Sequence, residues 1–116
     1  AEGVEPYSAQ RLAELRTQGR TVFVNMTADW CVTCKANEAR VLSQAPFKDA
    51  LAASDAVYMV GDWTNVDPAI TEFLEQHGAV GVPLYVVFRA GEPEGRVLPT
   101  ILTDAAAAAA LRGDAP

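Results

Sequence analysis

Short apolar runs alternate with helical segments along this chain, and the alternation restricts the folds that it can adopt. Strands are predicted at 21–27, 56–61 and 84–88, where Val, Phe, Tyr, Met and Leu follow one another as in strands covered on both faces. A short fourth strand at 96–98 follows the turn-rich sequence RAGEPEG, which indicates a hairpin. Strands separated by helices indicate a parallel sheet, to which the hairpin would add an antiparallel edge.

Capping residues mark where the intervening helices begin and end. Ser8 and the pair Asp67-Pro68 precede apolar stripes that Gly19 and Gly78 close, in agreement with capping preferences. Further helices are predicted at 31–42, at 46–53 and after Thr103 or Asp104. The 116 residues suit one compact α/β domain, with a mixed sheet between helices and with flexible ends at 1–7 and 113–116.

Charge and hydropathy argue against two classes of partner. The formal charge is −6, from 9 basic and 15 acidic residues, and no Lys/Arg cluster is present to bind nucleic-acid phosphates. The longest purely apolar run, 105–111, is far shorter than the roughly 20 residues that cross a bilayer. We expect a monomer with no nucleic-acid partner and no direct membrane insertion. A first residue other than Met indicates a processed chain or a part of a longer one.

Both cysteines of the chain, Cys31 and Cys34, lie between the first predicted strand and a helix. A structural disulfide across two residues would stabilise little, since the gain falls as the closed loop shortens. A structural zinc site needs four Cys or His ligands, and besides the pair the sequence offers only His77, at the exposed end of a predicted helix. A site for a soft ion such as Cu(I) is a third alternative, and redox chemistry is the fourth.

A reactive cysteine pair has a physical basis at this position. Unpaired backbone N–H groups and the helix dipole stabilise a thiolate where a helix begins. An exposed Cys31 would attack a partner's disulfide, and a shielded Cys34, one turn further in, would resolve the mixed disulfide. Lys35 would add positive potential, unless it is only an exposed helix lysine. A strand, a CxxC pair and a helix in this order predict dithiol–disulfide exchange.

The segment FVNMTADWCVTCK, residues 23–35, resembles the active site of the thioredoxin superfamily, and residues 8–112 follow the order of that fold. The sequence GVP at 81–83, directly before the third predicted strand, resembles a second characteristic motif of the superfamily. The resemblance implies a thioredoxin-like fold, with helices on both faces of the sheet and a cis bond between Val82 and Pro83. It also implies that Val82 offers backbone hydrogen bonds to a substrate chain. Only GVEPY is available for a first edge strand.

A narrower resemblance is to the C-terminal periplasmic domains of the DsbD family of thiol:disulfide interchange proteins. It is carried by ADWCVTCK with NE following, by DWTNVDP and by GVPLYVVF. It implies a protein-disulfide reductase without cofactor or metal, on the periplasmic side and as a domain of an inner-membrane protein. Electrons would come from a membrane-embedded dithiol and pass to a periplasmic disulfide protein. The alternatives are a free-standing oxidoreductase for one client and a non-catalytic binding domain of the same fold.

The DsbD pattern also assigns roles to residues around the pair. Two carboxylates tune the thiols in that pattern; Glu38 matches one, whereas Asn25 stands where many relatives have a buried Asp. An amide does not exchange a proton at ordinary pH, so Asn25 either holds the strand end or alters the proton path. Either Glu38 or water would then move the protons, unless Glu38 is only a solvated helix charge. Trp30 would shield the site and contact partners, and Trp63 is predicted to be core or rim packing.

Overall fold

The computed structural model describes residues 4–114 of the chain. Its strands are β1 (Val4–Pro6), β2 (Val22–Thr27), β3 (Val57–Asp62), β4 (Leu84–Phe88) and β5 (Arg96–Val97). Its helices are α1 (Ala9–Thr17), α2 (Val32–Asn37), α3 (Ala45–Ala53), α4 (Pro68–Gln76) and α5 (Asp104–Arg112). The strands form one sheet in the order β1-β3-β2-β4-β5, which confirms the predicted mixed α/β fold.

The direction of β4 differs from the predicted parallel sheet. Both β1 and β2 run parallel to β3, whereas β4 is antiparallel to β2 and β5 is antiparallel to β4. The sequence does not show this, because a strand covered on both faces has the same continuous apolar pattern in either direction. Leu84, at the start of β4, pairs with Met26 near the end of β2. The chain before β4 therefore lies at the same edge of the sheet as the chain that follows β2.

Each face of the sheet packs against its own helices. On one face, α1 and α4 contribute Leu15 and Phe73 to a buried cluster with side chains of β2, β3 and β4. On the other face, Phe23 packs against Phe47 of α3 with ring centroids 4.9 Å apart, and Leu111 of α5 belongs to the same cluster. Both faces of β2, the middle strand of the five, are therefore covered, as its continuous apolar pattern predicts.

The helix predicted at 31–42 changes its winding at Glu38. It is α-helical over Val32–Asn37 and continues as a π-helical turn over Glu38–Leu42. Ser43 N–H donates to Glu38 O at 2.9 Å, the longer reach of a π-type hydrogen bond. Such turns are rare and frequently lie at functional sites, and apolar periodicity does not separate them from α-helical turns of the same length.

Residues 4–7 and 113–114 belong to the predicted flexible ends and lie within the described part of the chain. β1 pairs with β3, and Tyr7 N–H donates to Val60 O at 2.8 Å, so residues 4–7 supply the edge strand for which GVEPY was the only available segment. Gly113 ends α5 in the left-handed conformation, with φ +78°. The remaining parts of the predicted flexible ends, 1–3 and 115–116, lie outside the described residues.

Candidate active site

Cys31 and Cys34 are joined in a disulfide where α2 begins, with their Cα atoms 5.2 Å apart. Cys31 is the N-cap residue of α2, and its Sγ accepts a hydrogen bond from Cys34 N–H at 3.1 Å. The first turn of a helix leaves such N–H groups without intrahelical partners. The same donor is available to a Cys31 thiolate, because N–H groups and the helix dipole favour a negative charge at this end of a helix.

Both cysteines are buried. Cys34 is 2% exposed, as its shielded position predicts, but Cys31 is also only 6% exposed. Ala28 and the two cysteines form a small buried cluster against which Val82 packs. The prediction of an exposed Cys31 is therefore wrong for the oxidised domain, because Ala28 and Val82 cover it.

Val82 and Pro83 lie beside the disulfide, just before β4. Their peptide bond is cis, which is the geometry that the thioredoxin resemblance implies. A groove of about 560 Å³ runs from Thr33, between the two cysteines, past these two residues to Val80 and Ile101. Val80 and Ile101 expose most of their apolar side chains. An open apolar groove next to a disulfide can hold an extended polypeptide chain.

Trp30 is the large exposed side chain next to the disulfide, at 56% exposure. Its indole Nε1–H donates to Thr64 O at 3.1 Å, and its ring centroid lies 6.0 Å from that of Trp63. Asp29 N–H donates to Thr64 Oγ1 at 2.9 Å. Trp63 is half-buried, and its Nε1–H donates to Thr71 Oγ1 at 2.9 Å. The loop after β3 thus holds Asp29 and Trp30, and Trp63 packs at the rim of the site.

Lys35 forms an exposed ion pair with Asp29, with Nζ 3.8 Å from Oδ1. Exposed pairs of this kind contribute little stability and are weakened by salt. The two hydrogen bonds from Thr64 lower the pKa of Asp62, and the Lys35 charge lowers it further. Asp29 and Asp62 thus lie close enough to Lys35 to compensate part of its positive charge.

Asn25 is a buried polar side chain of β2, at 4% exposure. Its Nδ2 donates to Tyr58 Oη at 2.9 Å, whereas its Oδ1 has no hydrogen-bond partner among the described residues. Leaving a buried acceptor unpaired costs about 1–3 kcal/mol. Asn25 also pairs with Tyr85 across β2 and β4. Asn25 Oδ1 thus lies unpaired among the described residues, on the sheet face that carries Tyr58 and Tyr85.

Glu38 is exposed, yet its charge acts on the same two buried tyrosines. Burial raises the pKa of Tyr85 to about 12; the hydrogen bond from Asn37 opposes this rise, and the charges of Tyr58 and Glu38 add to it. Burial also raises the pKa of Tyr58, against the hydrogen bond from Asn25, and Glu38 again adds to the rise. The Glu38 carboxylate is therefore close enough to influence buried groups while it stays in contact with solvent.

Asn37 is a buried site residue that the sequence interpretation misses. It is 4% exposed, and its Nδ2 donates to Tyr85 Oη and to Thr100 O, both at 2.8 Å. Leu102 N–H donates to its Oδ1 at 3.1 Å. Asn37 follows Cys34 by one helical turn, so both face the same side of α2. An amide on this inward face is the signal that could have identified it.

The Tyr85→Phe variant is expected to lose less stability at alkaline pH than the wild type. The pKa of Tyr85 is about 12 in the folded protein and about 10 in an unfolded chain, so folding favours the neutral hydroxyl. This contribution is complete below pH 10 and is lost as the pH rises toward 12. Urea unfolding from pH 8 to pH 11 should show the wild type losing about 1 kcal/mol more than the variant. Equal losses would contradict the buried, neutral state of Tyr85.

His77 lies at the C-terminal end of α4, with Nδ1 2.8 Å from Phe73 O. This is the predicted helix-end contact, although the ring is half-buried rather than exposed because it packs on Phe73 with centroids 4.3 Å apart. Within residues 4–114, no group of three or more His, Cys, Asp or Glu side chains is placed to hold a metal ion. Over the same range, no helix combines the length and the apolar character that crossing a membrane requires.

The family whose sequence profile matches the chain is described as thioredoxin-like, and the match covers residues 4–90. The chain is 37% identical over 79 residues to the thiol:disulfide interchange protein DsbD of Pseudoalteromonas atlantica, which is 68% of this chain and 13% of that protein. It is 33% identical over 83 residues to the thiol:disulfide interchange protein DsbD 1 of Pseudomonas aeruginosa, which is 72% of this chain and 14% of that protein. The chain thus spans about one seventh of the length of these curated relatives.

Solved structures share the fold. The reduced C-terminal domain of DsbD from Neisseria meningitidis has a TM-score of 0.72 at 20% identity, covering 95% of this chain and 99% of that one. A thioredoxin from Thermus thermophilus has a TM-score of 0.68 at 21% identity, covering 96% of this chain and 86% of that one. At these identities the likeness shows the fold alone, and it confirms the thioredoxin-like architecture.

Proposed function

The chain belongs to the thioredoxin-like family as a thiol–disulfide oxidoreductase domain, and we propose that Cys31 and Cys34 carry electrons in the reducing direction. The observation that supports these roles best is the disulfide at the N-cap of α2, where Cys31 Sγ accepts the Cys34 N–H. A staple across two residues would stabilise the fold little. A sulfur held at a helix N-terminus and beside an open groove is instead suited to act as a thiolate.

In the proposed reaction, the Cys31 thiolate attacks one sulfur of a partner's disulfide. A bond forms between Cys31 and that sulfur, and the partner's second sulfur leaves as a thiolate. Deprotonated Cys34 then attacks Cys31 Sγ, which restores the internal disulfide and releases the first sulfur of the partner. Two electrons pass from the domain to the partner, and the two protons of the domain's thiols end on the partner's thiols. No cofactor takes part in these steps.

The groups around the pair support this sequence of steps. We propose that the partner's chain lies along the groove beside Val82 and Pro83, with Trp30 contacting it from the side of the β3–α4 loop. Pro83 has no N–H, so the backbone groups offered to the partner come from Val82. Glu38 follows Cys34 by one helical turn and faces solvent. It would therefore take the Cys34 proton, because the Asn25 amide cannot.

The identity of 37% and 33% with proteins named DsbD extends the proposal to partners and location. We propose that a membrane-embedded dithiol re-reduces Cys31 and Cys34, and that a periplasmic disulfide protein receives the electrons. The chain would then act on the periplasmic side, as a domain of an inner-membrane protein. The apolar groove supports a polypeptide partner, since its exposed Val80 and Ile101 offer contact area but no charge.

Redox equilibration tests the direction of electron flow. The pair would be equilibrated with glutathione buffers, and the fluorescence of Trp30 would report its state because Trp30 lies beside the disulfide. We expect a potential between about −270 and −200 mV, in the range of thioredoxins and glutaredoxins. A value near about −120 mV, typical of a strong oxidant, would contradict the reducing assignment. The Cys31→Ala variant is the control, since it cannot form the disulfide and should show no fluorescence transition.

A further inference from the structure

We infer that Asn37 is a positioning residue for substrate binding, which fixes the segment 100–102 so that Ile101 forms one apolar wall of the groove. This inference rests on the proposed function, because it concerns the partner's chain in the same groove. It assigns to Asn37 and Ile101 the choice between disulfide substrates, rather than a part in the transfer of electrons.

Asn37 binds the backbone on both sides of Ile101. Its Nδ2 donates to Thr100 O at 2.8 Å, and its Oδ1 accepts from Leu102 N–H at 3.1 Å. The second hydrogen of Nδ2 goes to Tyr85 Oη, also at 2.8 Å. An amide is suited to this position because it combines two donors with an acceptor, whereas a carboxylate only accepts. Each of these bonds is strengthened by burial, since Asn37 is 4% exposed.

The segment that Asn37 holds has no regular secondary structure of its own. It connects β5 to α5, and the chain from 98 to 103 is neither strand nor helix. Leu102 is buried in the core cluster of this face, whereas Ile101 is 66% exposed. The side-chain amide of Asn37 therefore replaces the backbone ladder that would otherwise fix this segment. Its removal should leave Leu102 in the core and release Ile101.

Ile101 faces the groove that begins at the disulfide. Together with Thr100, it lines the same groove as Thr33, Val82 and Pro83. A branched apolar side chain held in place offers contact area to a partner at little cost in conformational entropy. The partner chemistry that fits is an extended polypeptide with an apolar residue next to its disulfide-bonded cysteine. Because Asn37 also lies one turn after Cys34, a single amide joins the helix of the resolving cysteine to this wall.

Steady-state reduction of two synthetic disulfide peptides tests the inference, with dithiothreitol supplied to regenerate the reduced pair and its direct reaction with each peptide subtracted. One peptide carries Val and Leu next to its cysteine, and the other carries Ser at both positions. For the Val/Leu peptide we expect Asn37→Leu to raise KM about tenfold with kcat retained, because the leucine keeps the branched shape of the side chain but none of its hydrogen bonds. KM for the Ser peptide should change less than about twofold. Hydrogen exchange of the Leu102 amide should become faster in the same variant.

Two further variants make the outcome decisive. Tyr85→Phe removes one Asn37 hydrogen bond but keeps both bonds to the segment, so its KM should match the wild type. Ile101→Ala changes an exposed residue and should raise KM for the Val/Leu peptide even if Asn37→Leu does not fold. An unchanged KM in Ile101→Ala, or an equal loss of rate with both peptides in Asn37→Leu, would overturn the inference. A wild-type domain that reduces neither peptide nor a small aromatic disulfide would overturn the proposed function instead.

Discussion

The Cys34→Ala variant is expected to stop at the mixed disulfide and to lose all turnover, while it keeps the first attack. Cys31 remains the N-cap residue of α2, and the N–H of residue 34 that donates to its Sγ belongs to the backbone and survives the substitution. No second thiol remains in the chain to attack the bond to the partner. Mass spectrometry of the reduced variant after incubation with a disulfide peptide should show one peptide per protein, released by dithiothreitol.

The Cys31→Ala variant is the matched control for this trap. It retains Cys34, which is 2% exposed and lies one turn inside the helix. A thiol there lacks the activation that the N-cap position gives to Cys31. We expect adduct formation on the order of 100-fold slower than in Cys34→Ala, since reactivity follows thiolate character and access. If the two variants trapped the peptide at equal rates, the roles of attacking and resolving cysteine would be wrong.

The order of the elements could be predicted because its signals are local. Ser8 Oγ accepts from Arg11 N–H at 3.2 Å at the start of α1, and Asp67 Oδ1 accepts from Ala69 N–H at 2.8 Å at the start of α4. Each of these caps lies within three residues of its partner. The direction of β4 and the π-helical turn after Asn37 depend on packing between elements that are distant in the chain. No pattern within one segment encodes them.

The same distinction between local and distant signals separates the cysteine pair from Asn37. The spacing of Cys31 and Cys34 is visible in the sequence, and so is the helix that follows. Asn37, however, acquires its role from Tyr85, 48 residues away, and from Thr100, 63 residues away. A polar residue at a buried position is visible in a sequence, but its partners are not.

The Asn25→Asp variant should be much less stable at pH 7 than at pH 4. Asn25 is 4% exposed, so burial would raise the pKa of the introduced carboxyl group. The Glu38 charge, which raises the pKa of the neighbouring Tyr58, would raise it further. A rise of about three units corresponds to about 4 kcal/mol of unfolding free energy at pH 7. The stability is present below about pH 4, near the unfolded pKa, and is lost as the pH rises through the higher folded-state value.

Urea unfolding from pH 4 to pH 8 would measure this loss as a widening difference from the wild type. Asn25→Leu is the matched control, because it has the same branched shape and no titratable group, so its difference from the wild type should stay constant. Asn25→Leu also removes the hydrogen bond that Asn25 Nδ2 donates to Tyr58 Oη at 2.9 Å. It therefore measures the loss of that hydrogen bond separately from the cost of burying a charge. A constant difference in Asn25→Asp would mean that water reaches this side chain.

The same variant shows whether position 25 communicates with the cysteines. In the reduced domain, the rate of reaction with a small disulfide should rise with pH as the Cys31 thiolate forms. If the introduced carboxylate exchanges protons with Cys34, this profile should gain a second step at the pH where stability is lost. An unchanged profile beside a clear loss of stability would make Asn25 a structural residue. Glu38, exposed and one turn after Cys34, would then be the carboxylate that serves the pair.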